Sequence, residues 1–187
     1  MTTRISYGIP GVNSSTVPES VTYAKPLPTI SVPHARTHEG KFYDVSYLIP
    51  HGGELANDAT INILVTTGAS SAHSIPIWQV GGDCEAHIFE DVVVSANGTA
   101  LDVYNHARWS TNTALLTAYH APTITNDGTE LGGAIFIPGG RGPNSAGGSA
   151  TFNFEFDMKS STNYLFRAIN RSGAAIMGSF GLSFYEP

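Results

Sequence analysis

The feature that most constrains this chain is a strict alternation of apolar and polar side chains in short runs. In Thr151-Phe152-Asn153-Phe154-Glu155-Phe156-Asp157-Met158, the three phenylalanines and the methionine take every second place, and Thr, Asn, Glu and Asp take the others. A period of two buries one face only if the segment is a β-strand, because successive side chains of a strand point to opposite sides. Ile176, Gly178, Phe180, Leu182 and Phe184 repeat the pattern near the C-terminus. Weaker versions run from Phe42 to Ile49, Thr60 to Thr67, Ser74 to Val80, Cys84 to Val94, Ala100 to Tyr104, Leu115 to Ala121, Ala134 to Pro138 and Tyr164 to Ile169. No window holds apolar residues at the helical spacing i, i+3, i+4, i+7, so no helix is expected.

Turn chemistry divides these runs. His51-Gly52-Gly53, Asn57-Asp58, Gly81-Gly82-Asp83, Asn97-Gly98, Asn126-Asp127-Gly128, Gly139 to Pro143 and Asn170 to Gly173 can each host a positive φ or an Asx turn. About ten short strands separated by such turns predict an all-β fold, an antiparallel β-sandwich or jelly roll. At 187 residues the chain suffices for one sizeable core. Residues 36–187 read as that single β-sandwich domain, with 139–149 as its longest flexible loop, either simply mobile or placed at a contact surface.

Residues 1–35 are different in kind. Pro10, Pro18, Pro26, Pro28 and Pro33 recur among Ser, Thr and Val, a spacing that suits neither a helix nor a central strand. The segment reads either as a free tail or as an extended N-terminal arm lying across a neighbouring subunit or partner, with Tyr7, Ile9, Val12, Val17 and Tyr23 as isolated apolar contact residues.

Charge narrows the partners. Lys and Arg number only nine, scattered singly, and the formal net charge is −6, so no basic stripe exists to track a phosphate backbone and no nucleic acid partner is expected. Charged residues make up 13% of the chain, about half the usual share, so its polarity is mostly neutral Ser, Thr, Asn and Gly. The opening MTTRISYGIPGVNSS lacks an apolar core of a secretion signal, and the longest apolar runs are far short of a membrane span, so a soluble chain without a membrane partner is expected. Cys84 is the lone cysteine and reads as a small buried hydrophobe rather than a reactive thiol.

Catalytic and metal signatures were weighed against these patterns. Seven histidines are many for so few charges, and His51, His73, His87 and His120 could meet in space, but there is no His-x-His, and His34 and His38 stand four apart in a region not expected to be helical. Glu85-Ala86-His87 approaches a cupin motif and lacks its second histidine. The histidines are therefore expected to hydrogen-bond at strand ends or subunit contacts, with no metal and no cofactor. Asp83, Glu85, Glu90 and Asp91 form the densest acidic group, yet Glu90 and Asp91 would face opposite sides of a strand and cannot serve one site from it. No Gly-x-Ser-x-Gly elbow or phosphate-binding glycine loop occurs, and an enzyme is not expected.

The order of motifs carries a resemblance. His38-Glu39-Gly40-Lys41-Phe42-Tyr43, then Asn97-Gly98-Thr99-Ala100-Leu101 with Tyr104-Asn105 and Arg108, then Tyr119-His120-Ala121-Pro122-Thr123-Ile124 with Asp127-Gly128-Thr129, then Tyr164-Leu165-Phe166-Arg167 and a closing Phe184-Tyr185-Glu186 together resemble a widespread family of tailed-bacteriophage virion proteins. The match runs from about Pro33 to the C-terminus. Where that family carries Asn-Arg-Asn-Arg, this chain has Asn105-His106-Ala107-Arg108, so only the first and last positions correspond. Residues 1–32 match no motif of the family.

The resemblance implies a non-enzymatic virion protein made in the host cytoplasm and bound to the capsid exterior as a decoration or cement protein. Its implied partners are the major capsid protein and itself, as a homotrimer. The acidic balance favours the outer face of the shell over its DNA-filled interior. Asn105 and Arg108 are expected to form a structural polar network with backbone carbonyls or a buried carboxylate. The alternative is a tail or baseplate module that reads receptors or glycans, using Trp78, Trp109 or Tyr119 if exposed. A sugar-active or metal enzyme on a jelly roll is the third class.

Overall fold

The computed structural model describes residues 31–139, 148–151 and 155–187. Tyr7, Ile9, Val12, Val17 and Tyr23, the apolar positions expected in an arm, lie outside them. Ser31–Pro187 form one compact unit.

The unit is mostly β and antiparallel throughout, and it begins with a short helix. Helix α1 spans Val32–His38. It arises despite its proline because Pro33 falls in the first turn, where its missing N–H has no helical acceptor to lose. Its end is a Schellman motif: Gly40 N–H donates to the Thr37 carbonyl and Lys41 N–H to the Arg36 carbonyl, at 3.0 and 2.9 Å. Gly40 takes φ +69° there, and a Cβ would lie 2.3 Å from Ser110 Oγ, so glycine is required twice over. This helix corrects the expectation of none; with Val32 and Ala35 as its apolar residues, it is too short to show a helical period.

Two sheets follow. In the first, β1 (Phe42–Leu48) lies between β7 (Val103–Asn105) and β15 (Gly178–Tyr185), and β15 pairs in turn with β3 (Ala72–Val80). The outer edge of β3 is shared by β12 (Gly148–Thr151) and β13 (Phe156–Met158). In the second sheet the order is β10 (Thr129–Glu130), β4 (Cys84–Glu90), β14 (Asn163–Asn170), β2 (Thr60–Thr66), β8 (Thr117–His120), β6 (Thr99–Leu101), with β11 (Ile135–Ile137) also on β4. A ribbon of β5 (Val93–Ala96) and β9 (Thr123–Asn126) completes the set.

The inward positions of both sheets supply one hydrophobic cluster. Tyr43, Val45, Trp78, Phe180, Leu182 and Phe184 come from the first sheet, and Ile63, Val65, Ile88, Tyr164, Phe166 and Ala168 from the second. Trp78 and Phe166 both pack on Phe180, with ring centroids 4.8 and 5.2 Å away. The second sheet also buries part of its other face: Leu165 and Phe89 join Val92 in a separate cluster against Val94 and Ile124 of the ribbon. That is why β14 and β4 lose strict alternation and bury consecutive residues.

The run Thr151 to Met158 is not one strand: Thr151 ends β12 and Phe156–Met158 form β13, with residues 152–154 outside those described. Two further expected strands are split, each for a local reason. The run Cys84 to Val94 breaks at Asp91, whose φ of +62° ends β4 and sends β5 to a different partner. The run Ala100 to Tyr104 breaks at Asp102: Leu101 pairs with Ala118 in the second sheet, whereas Val103 pairs with Val45 in the first. The chain therefore changes sheets within two residues. Strands β9 and β10 were not expected; Ile124 is the one apolar residue of β9, and β10 has two residues. Among the described residues no helix is long and apolar enough to cross a membrane.

Candidate functional site

Where α1 hands over to β1, three side chains donate to one backbone oxygen. The Gly40 carbonyl accepts from Asn105 Nδ2 at 2.9 Å and from Tyr43 Oη and Asn112 Nδ2 at 3.2 Å each. Asn105 also donates to the Asn112 carbonyl at 3.1 Å, and its Oδ1 accepts the Ala107 N–H at 2.9 Å. One amide thus uses both its ends on backbone and ties the 105–112 loop to the helix cap. Arg108 does not share this burial: it is exposed, and its Nη1 reaches the Asn105 carbonyl at 3.5 Å, the outer limit of a hydrogen bond.

Beside this knot lies a cleft of about 440 Å³ whose wall includes Lys41, Tyr43, Asn112, Leu115 and Glu186. Glu186 is buried, 6% exposed, and accepts from Leu116 N–H at 2.8 Å and Leu115 N–H at 3.0 Å. Two aligned backbone donors satisfy a carboxylate that would otherwise be costly to bury. Burial, and secondarily the Glu186 charge, push the Tyr43 hydroxyl above the ordinary tyrosine range, which keeps it a donor to Gly40. With both Glu186 oxygens engaged and Asn112 Nδ2 donating to the Glu39 and Gly40 carbonyls, the chemistry the cleft offers a visitor is hydrogen bonding from Lys41 and the hydroxyls of Ser70, Thr111 and Thr113.

A second polar assembly pins the ribbon. Arg167 forks onto Asp127 at 2.6 and 2.9 Å, donates to Asn62 Oδ1 at 2.9 Å and stacks over Phe89, 4.8 Å from its centroid. The guanidinium holds the Asp127 carboxyl below its usual range. Nearby, Glu90 accepts from Tyr164 Oη at 2.7 Å and from Lys159 Nζ at 2.5 Å, so its carboxyl is likewise held low, whereas burial raises the Tyr164 hydroxyl. Motifs distant in sequence meet in these two places: Gly40, Tyr43, Asn105 and Glu186 at the cleft, Asp127 and Arg167 at the ribbon.

The other candidates are dispersed. His51 pairs with Glu54 at 2.8 Å, His87 with Glu130 at 2.7 Å, His73 with Asp157 at 3.5 Å, and His120 stacks on Tyr47, so these four do not meet. His106 is hydrogen-bonded to Asp44 across β7 and β1. Among the described residues no group of three or more His, Cys, Asp or Glu is placed to hold a metal ion. Of the four clustered acids, Asp83 accepts from Gly139 N–H, Glu85 from Arg171, and Glu90 from Lys159 and Tyr164, three separate settings. Asp91 lies in the turn after β4. Trp78 is fully buried and cannot face a ligand, Tyr119 is half-buried, and Trp109 is 75% exposed. Cys84 is buried, and burial raises its thiol to about 11.

Glu186, Tyr43 and Asn112 were not singled out as site residues from the sequence. Glu186 carried a usable signal, a lone acid directly after the alternating run of β15; Asn112, in a polar loop, carried none. No family model, curated protein or solved structure matches the chain.

Proposed function

We propose that the two sheets form a β-sandwich of jelly-roll type whose task is to bind a repeating protein surface, as a decoration or cement protein on the exterior of a phage capsid. The observation that carries this reading is the outer face of the first sheet. Its cross-strand rows run Ser46, Gly181, Ile77 and Leu48, Ser179, Gln79, with Ser183 beside Asp44 and Ile75. These side chains are short and nearly all neutral, Leu48 is 64% exposed, and Met177 next to it is 40% exposed over a shallow hollow of about 480 Å³. A flat, neutral, partly apolar face suits an extended contact with a shell subunit, and symmetry then multiplies a modest affinity. The motif order that resembles tailed-phage virion proteins supports the same reading, with a homotrimer as the assembling unit, the major capsid protein as partner and residues 1–30 contributing an extended arm to the contact; the arm stops short of the expected residue 35 because 32–38 are helical.

Immunogold labelling of intact particles of the source phage tests it: signal over the whole head is expected, and signal at the tail tip alone overturns it. Deleting residues 1–32 is expected to leave a folded domain that no longer binds heads, and unchanged binding removes the arm from the proposal. A second reading, a tail or baseplate glycan reader, is favoured by one observation, the exposed Trp109 and Tyr104 (51%) within the 97–110 run. Labelling confined to the tail, with host-glycan binding lost on Trp109→Ala, would establish it instead.

A further inference from the structure

We propose that His34 and His38 form a two-donor site for a divalent transition-metal cation, with Cu2+ bound most tightly and Ni2+ as the geometric alternative. Both residues lie on α1, four apart, so both imidazoles project from one face. Both are exposed, and their Nε2 atoms stand 2.9 Å apart. The rings are tilted at 52° with centroids 4.7 Å apart, so they meet edge to edge instead of stacking flat.

That separation selects a coordination geometry. Two nitrogens each about 2.0–2.1 Å from one metal are about 2.9 Å apart when the angle at the metal is about 90°, and about 3.4 Å apart when it is tetrahedral. The observed 2.9 Å, which is also the length of the Nε2–H···Nε2 hydrogen bond, matches neighbouring positions of a square-planar or octahedral ion, and the Irving–Williams order then places Cu2+ above Ni2+ and Zn2+ for such a nitrogen pair. Without metal, one Nε2–H donates to the other Nε2. Binding moves that proton to Nδ1 of the same ring, and both lone pairs then turn to the cation with no net proton released. Water completes the coordination sphere at this exposed position.

The other histidines are engaged differently. His51, His73, His87 and His106 each face a carboxylate, and His120 stacks on Tyr47. His34 and His38 are joined to each other. The nearest charges, Arg36 and Glu39, neutralise one another at 2.7 Å. Since α1 leads through Gly40 into β1, a cation spanning its first and last turns would clamp a helix of seven residues, too short to be stable by itself. This site does not depend on the capsid reading.

The test is titration of the full chain with CuCl2 and with NiCl2 by calorimetry, with electron paramagnetic resonance of the Cu2+ form. One Cu2+ per chain with two imidazole nitrogens is expected, and His34→Gln and His38→Gln should each weaken it about tenfold or more, while His51→Gln and His106→Gln change it less than about threefold. Circular dichroism shows that each variant is folded, which these exposed positions should permit. Absence of Cu2+ binding, or an affinity in His34→Gln and His38→Gln unchanged from that of the unsubstituted chain, overturns the proposal.

Discussion

The carboxylate of Glu186 accepts the backbone N–H of Leu116 at 2.8 Å, joining positions 70 apart in sequence. With the Leu115 N–H on the same carboxylate, this contact closes the end of the molecule where β1, β15 and the loop before β8 meet. Removing the acceptor strands one buried donor, the Leu116 N–H, and one part-buried donor, the Leu115 N–H. Glu186→Ala is expected to cost about 3 kcal/mol of unfolding free energy, and Glu186→Gln, which keeps one oxygen, about half that. Urea denaturation at neutral pH reads both. An unchanged midpoint for Glu186→Ala would show that the loop is held by apolar packing alone.

Glu90 and Asp127 contribute to the acid limit of stability. Lysine and tyrosine donors at Glu90, and the Arg167 fork at Asp127, hold both carboxyls below their unfolded values. The folded chain therefore takes up these protons less readily than the unfolded chain, so their stabilisation is complete above the ordinary carboxyl range and lost as pH falls through the lowered values. Wild-type urea midpoints should drop steeply below about pH 4.5, and Glu90→Gln should show a shallower drop after a loss of about 1 kcal/mol at neutral pH. Equal slopes would remove Glu90 from the acid limb.

Most of the β-strands were legible because alternation reports a face and the face reports the core. The runs at Phe42, Thr60, Ser74, Tyr164 and Ile176 each became a strand within a few residues of the expected bounds. Apart from the Thr151–Met158 run, divided between β12 and β13 despite its strict alternation, what escaped had no period to read. Helix α1 rests on a proline that costs nothing in its first turn and on a glycine cap, and its seven residues complete fewer than two turns. The split of the Ala100–Tyr104 run depends on which sheet each neighbour occupies, a long-range fact invisible in five residues. Of the cleft, the bonding of Asn105 to backbone carbonyls was legible, but its partners Gly40 and Asn112 were hidden, since they are reached through backbone groups that every residue possesses.

Cys84 is buried where β4 pairs with β14 and β11, and burial raises its thiol to about 11. Attack on a disulfide reagent needs the thiolate and a path to it, and the fold denies both. Ellman's reagent should find no reactive thiol in the native protein at pH 8 and one per chain in urea. Rapid native labelling would mean that β4 opens locally on the time scale of the assay.

Gly98 turns the chain from β5 toward β6 at φ +91°, and a Cβ there would lie 2.2 Å from the His120 carbonyl oxygen. Because the obstacle is backbone of the neighbouring strand, rotating a side chain cannot relieve it. Gly98→Ala is expected to cost about 2–3 kcal/mol, from strain at positive φ and displacement of β8. Thermal unfolding reads the loss. The control is Gly132→Ala, also at positive φ but with nothing within 4 Å, which should cost less than Gly98→Ala.

In the run NGTALDVYNHARWS, Asn105 and Arg108 look equivalent in sequence and are opposite in the structure. Asn105 makes three bonds to backbone at 2.9 to 3.1 Å, holding Gly40, Ala107 and Asn112 together. Arg108 is exposed, with one contact at 3.5 Å. Asn105→Ala leaves the Asn112 carbonyl and the Ala107 N–H to find water, while the Gly40 carbonyl keeps Tyr43 and Asn112 as donors; it should cost about 1–2 kcal/mol, whereas Arg108→Ala should stay within about 0.5 kcal/mol. Their urea midpoints separate the two roles. If Arg108→Ala instead abolishes binding to heads while leaving the midpoint unchanged, the arginine belongs to the contact surface and its place beside Asn105 reflects recognition, not folding.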